Sequence, residues 1–168
     1  MKAKHIYLLL VTLAVVFLFA LFRYRQANVQ ELEWPPALSA AVEKAPTVPY
    51  CDLVRNPTRF NNEVVRTEAL FFKNLENTIF YDATCKDNST WVEFDPAYAY
   101  ADEVLKEKFA ELACLRQHRC DGRARVTAVG RFEGPNENGC GHLGCCPYRF
   151  SIMRLEKVEP VLGSTSQP

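Results

Sequence analysis

From Ile6 to Phe22 the chain runs IYLLLVTLAVVFLFALF, seventeen positions without a charge. A helix rises about 1.5 Å per residue, so this stretch nearly spans a hydrocarbon core of about 30 Å. It is expected to be a membrane segment or a signal peptide. Cleavage requires small residues soon after the apolar run, whereas Leu21-Phe22-Arg23-Tyr24-Arg25 is bulky and basic. The reading is therefore an uncleaved transmembrane anchor over residues 1–25, with secretion as the outcome if the segment is removed. No cysteine follows the run closely enough to carry a lipid, the first being Cys51. The rest of the 168-residue chain has room for one domain of about 100 to 120 residues.

Flanking charge leaves the orientation open, because Lys2 and Lys4 on one side face Arg23 and Arg25 on the other. Seven cysteines in the remainder favour an oxidising compartment, since cytosolic proteins keep their thiols reduced. A single-pass protein with its soluble domain extracytoplasmic, periplasmic or at the cell surface, is the expectation. Residues 1–26 hold four basic side chains and no acid, which leaves 16 basic against 20 acidic side chains beyond them, a formal charge of −4. A mildly acidic domain repels a phosphate backbone, so nucleic acid is disfavoured as a partner.

Residues 26–49 contain Pro35, Pro36, Pro46, Pro49 and the alanine-rich Ala37 to Ala45. They read as a linker with one short helix. The globular part is expected over 50–160, with a disordered tail over 161–168. Asp52 to Arg55 suits a short helix that Pro57 interrupts. Val64 to Phe72, Thr78 to Asp82 and Thr90 to Phe94 read as three strands. Asp95-Pro96 offers a cap and a first-turn proline for a helix whose Leu105, Phe109 and Leu112 share one face. Arg123 to Phe132 alternates, with Ala124, Val126, Ala128 and Phe132 on one side and Arg123, Arg125, Thr127 and Arg131 on the other. A last strand runs from Tyr148 to Val158.

The fold class expected is mostly β with one main helix, in the order β-β-β-α-β-β of an OB-like five-stranded barrel, behind an N-terminal transmembrane helix. CDLVRNPTRFNNEVVRTEALFF (Cys51 to Phe72), YDATC (Tyr81 to Cys85) and GHLG (Gly141 to Gly144) resemble small OB-like bacterial exported or membrane-anchored domains of unknown function. The resemblance implies the fold and the location and carries no activity. Such domains more often have a glycine near Asn62; asparagine tolerates the same left-handed turn.

GCGHLGCCPYRF, Gly139 to Phe150, is the densest chemistry in the chain. Cys140, His142, Cys145 and Cys146 are an alternative metal-ligand or thiol-redox set, with Cys114, His118 and Cys120 as a second cluster. Their spacing departs from paired zinc knuckles, and nothing matches C-x-x-C. The preferred reading is disulfide bonding among Cys51, Cys85, Cys114, Cys120, Cys140, Cys145 and Cys146. Cys51 with Cys85 would tie the leading helix to the loop between strands two and three, and Cys114 with Cys120 would close a small loop. Cys140 with Cys145 or Cys146 would close the turn and leave one thiol over.

Arg123, Arg125 and Arg131 form a candidate basic stripe, beside which Trp91, Tyr98 or Tyr100 could stack a ligand ring. The competing reading is an ordinary solvated strand face whose arginines pair with acids. There is no phosphate-binding glycine loop, no G-x-S-x-G and no H-E-x-x-H, which lowers the expectation of an enzyme. No catalytic residue and no cofactor is assigned. The sequence points to a membrane-anchored, disulfide-stabilised, non-catalytic binding module. Its partner would be a protein or a glycan, and the membrane would be engaged through the N-terminal helix.

Overall fold

A computed structural model describes residues 35–85, 89–115 and 121–161, together with Phe17. The expected anchor over 1–25 (Phe17 aside), the tail beyond residue 161, and both His118 and Cys120 lie outside the described residues. Among the described residues no helix is long and apolar enough to cross a membrane.

The elements are α1 (Pro36–Glu43), α2 (Tyr50–Arg55), α3 (Pro57–Phe60), β1 (Val64–Lys73), β2 (Thr78–Tyr81), β3 (Thr90–Phe94), α4 (Glu103–Leu112), β4 (Gly122–Glu133) and β5 (Tyr148–Pro160). The strands close into a barrel in the order β1-β2-β3-β5-β4, with β4 pairing back onto β1. The β3–β5 pair is parallel and the others are antiparallel. Closure leaves no long unpaired edge, the usual liability of a small sheet.

The alternation read in the sequence sets the inside. Val65, Ala69 and Phe71 of β1 and Ala124, Val126, Ala128 and Phe132 of β4 are buried, with Phe80, Phe150 and Ile152 beside them. Phe109 of α4 plugs this core, its ring centroid 4.8 Å from that of Phe71 in an edge-on contact. Tyr50 fixes α2 against the barrel: its hydroxyl donates to the Phe80 carbonyl at 2.9 Å and lies 2.9 Å from the Thr90 hydroxyl. Asn62 has φ of 64°, the left-handed turn that asparagine tolerates.

Three details differ from the expectation. Asp95 caps a 3-10 turn over Pro96–Tyr100, accepting from Ala97 N at 2.8 Å. The α-helix starts afresh at Asp102, whose side chain accepts from Leu105 N at 2.9 Å. The chain is extended at Ala101, with ψ of 154°, so a single helix cannot run through it. At the other end of α4, Gly122 is required because a Cβ there would lie 2.2 Å from the Ala113 carbonyl carbon.

The second difference concerns the segment expected as a linker. Its described part, from residue 35 to 49, packs on the barrel instead of spacing it from something else. Val42 is fully buried with Ala45, Ala97, Val129 and Met153 in a second apolar cluster. Pro46 and Val48 hydrogen-bond the backbone of Arg66. The Arg66 guanidinium binds Glu156 through two nitrogens, at 2.7 and 3.0 Å, and donates to the Ala45 carbonyl at 2.7 Å. Arg154 links Glu156 to Glu43 of α1. Register shifts between β4 and β5 leave Met153 and Glu156 without a β4 partner. Such bulges redirect side chains: Met153 joins the Val42 cluster, and Glu156 holds Arg66 and Arg154, which bind Ala45 and Glu43.

Third, the cysteines divide. Cys51 and Cys85 are bonded, their Cα atoms 5.4 Å apart, tying α2 to the chain after β2 as expected. Cys114 is also disulfide-bonded. Cys140, Cys145 and Cys146 are all free thiols, so the expected bond within that turn does not form.

Candidate functional site

The arginine face of β4 is spent on local contacts. The Arg123 guanidinium lies over the Phe72 ring, 5.3 Å from its centroid. Arg125 pairs with Glu68 across the strands at 3.2 Å, and Arg131 donates to the Asn62 carbonyl at 2.9 Å. Tyr98 sits apart from them, packed on Phe94 at 4.7 Å beneath the Lys106 ammonium. Burial pushes its hydroxyl pKa up to about 12. Each of the three arginines thus has a partner within the barrel, an acid in the case of Arg125.

Trp91 belongs to a different feature. A cleft of about 430 Å³ is lined by Lys73, Asn74, Leu75, Glu76 and Thr78 from the β1–β2 hairpin, by Trp91 of β3, and by His142 of the β4–β5 connection. The hairpin tip is held by Asn74, whose side-chain oxygen accepts from the backbone N–H groups of Glu76 and Asn77 at 3.0 and 2.7 Å. That bracing presents Leu75, which is 78% exposed. On the opposite wall Gly141, with φ of 77°, lies flat against the indole: a Cβ there would approach Trp91 Cε3 to 2.1 Å. Leu143 follows, 92% exposed and in the left-handed region at φ of 57°. A non-glycine residue in that region carries a cost of roughly 1 to 2 kcal/mol. Leu75 and Leu143 are the two most exposed large apolar side chains among the described residues.

The cysteine turn adjoins this wall. Cys140 and Cys146 form an isolated antiparallel bridge, exchanging N–H to O bonds of 2.6 and 3.3 Å. Cys145 is exposed, with Sγ 2.9 Å from Cys146 Sγ. Cys146 is buried beside the Ser89 hydroxyl, 3.5 Å away. Burial, first, and the neighbouring Cys145 push the Cys146 thiol pKa up to about 12. The Arg149 guanidinium lies 3.7 Å from both Glu93 and Glu133.

For metal binding the geometry is unfavourable. Among the described residues only Cys51, Asp82 and Cys85 bring three donor atoms within 4.8 Å of one another, and two of those sulfurs are bonded to each other. No three donors of Cys140, His142, Cys145 and Cys146 meet that distance; His142 turns to the Trp91 cleft.

Leu75, Leu143, Asn74 and Gly141 were invisible as site residues in the sequence. The only signals were single leucines placed between turn formers, at Asn74-Leu75-Glu76-Asn77 and Gly141-His142-Leu143-Gly144. Comparison with protein-family models, curated proteins and solved structures finds no match to this chain.

Proposed function

We propose that this chain is a membrane-anchored, extracytoplasmic, non-catalytic binding module of OB-like architecture, whose partner docks at the Trp91 cleft. The strand order, the helix between β3 and β4, and the parallel β3–β5 closure support the OB-like reading. OB barrels take their ligands on the face of strands 2 and 3, between the β1–β2 and β4–β5 connections, which are the walls of this cleft. The Cys51–Cys85 bond and the bonded Cys114 support an oxidising compartment. The uncharged run Ile6 to Phe22 supports the anchor.

One observation carries the reading. Two large aliphatic side chains stand in solvent here: Leu75, which lines the Trp91 cleft, and Leu143, which follows the lining residue His142 in the chain. Exposed apolar groups fixed in place around an aromatic suit the buried centre of a protein interface. A protein partner is therefore favoured over a glycan.

The test uses the full chain in detergent. Leu75→Ser with Leu143→Ser removes the rim without touching the core and is expected to weaken partner capture by about 2 kcal/mol or more, roughly thirtyfold. The melting temperature should stay unchanged. Arg125→Gln with Arg131→Gln should leave capture intact; the reverse pattern rejects the cleft and restores the arginine face.

A further inference from the structure

The turn from Cys140 to Cys146 keeps three reduced sulfurs in a molecule that bonds its other described cysteines. Reduced thiols beside structural disulfides need a reason, and their placement supplies one. The one-pair bridge between Cys140 and Cys146 folds the turn back on itself. It leaves Cys145 outside and Cys146 inside, with their sulfurs 2.9 Å apart. One sulfur is open to attack or be attacked, and the second waits directly behind it.

We propose that this turn is a thiol–disulfide exchange site, at which exposed Cys145 attacks an incoming disulfide and buried Cys146 resolves the product. The co-reactant is a disulfide, either of an extracytoplasmic protein or of a small molecule. In the first step the Cys145 thiol loses its proton to solvent, and the thiolate attacks one sulfur of the incoming disulfide. A mixed disulfide forms on Cys145, and the other half leaves as a thiolate that takes up a proton. In the second step Cys146 attacks Cys145 Sγ and the remaining half departs, accepting the Cys146 proton. Two protein thiols are oxidised to one disulfide, and one incoming disulfide is reduced to two thiols.

Access assigns the roles. Cys146 is 1% exposed, so an incoming disulfide meets Cys145 first. Proximity then makes the second step intramolecular, with a high effective concentration. A disulfide between adjacent residues is geometrically strained, and strained disulfides are the labile, more oxidising ones. The oxidised turn is thus suited to hand its bond on to another thiol pair. Cys140 stays outside the exchange, because it is buried and the close sulfur pair is Cys145 with Cys146.

Oxidised glutathione is the probe. The full chain, purified in detergent without reductant, is incubated with it, alkylated and mapped by peptide mass spectrometry. Wild type is expected to gain a Cys145–Cys146 disulfide. Cys146→Ser should stall as a glutathione adduct on Cys145, Cys145→Ser should lose both products, and Cys140→Ser should match wild type. The proposal fails if Cys145 stays reduced in wild type, if the new bond joins Cys145 to Cys140, or if Cys146→Ser accumulates no adduct. Should Cys146→Ser not fold, the wild-type map alone decides, because it names the bonded pair.

Discussion

Gly141 shows how much one missing carbon determines here. Its left-handed φ and its contact with Trp91 are both conditions that only glycine meets without cost, and together they fix the β4–β5 connection over the indole. Gly141→Ala is expected to destabilise the fold by about 1 to 3 kcal/mol. It should also lift the connection from Trp91, shifting its fluorescence to longer wavelength in a Trp34→Phe background. An unchanged spectrum would mean that the loop does not rest on the ring. The sequence displayed this glycine among others in GCGHLG without distinguishing it, because the partner that makes it indispensable lies fifty residues away. Leu75 and Leu143 were illegible for a related reason: exposure of a leucine is a property of the fold, and no local pattern encodes it.

At the scale of elements, legibility followed the range of the forces involved. All five strands stand within two residues of where alternation and β-branched content put them, since a half-buried strand writes its own period into the sequence. The Cys51–Cys85 bond is one of the pairings that the sequence left open. The packing of the α1 segment was not legible because its anchors are long-range: Val42 is a single apolar residue among alanines, and Glu156, Arg154 and Arg66 come from β5 and β1. Those charges give the segment a pH signature. Hydrogen bonds from Arg66, above all, hold the Glu156 carboxyl below its ordinary value despite partial burial. A carboxyl depressed on folding contributes stability that is fully present above its unfolded value and is lost as pH falls through the lower folded value. Urea unfolding of Glu156→Gln should therefore depend less on pH than wild type across pH 5 to 3. Equal slopes would show that the clamp makes no net contribution.

The whole molecule combines a barrel without edges, a covalent tie and two braced loop tips on one cleft. The arginines of β4 contact the barrel's own surface, while the most exposed large apolar side chains among the described residues, Leu75 and Leu143, belong to the β1–β2 and β4–β5 connections. That division supports the proposal that recognition occurs between the β1–β2 and β4–β5 loops. It also explains why the basic stripe, the feature most visible along the sequence, is the less informative one. The most direct measurement is photocrosslinking in the native membrane, with a diazirine leucine analogue at position 143 and, separately, a diazirine-bearing residue at position 125. The account predicts a discrete adduct with a second polypeptide from position 143, lost in Trp91→Ala, and none from position 125. An adduct from position 125 alone, or only glycan or lipid adducts from position 143, would contradict it.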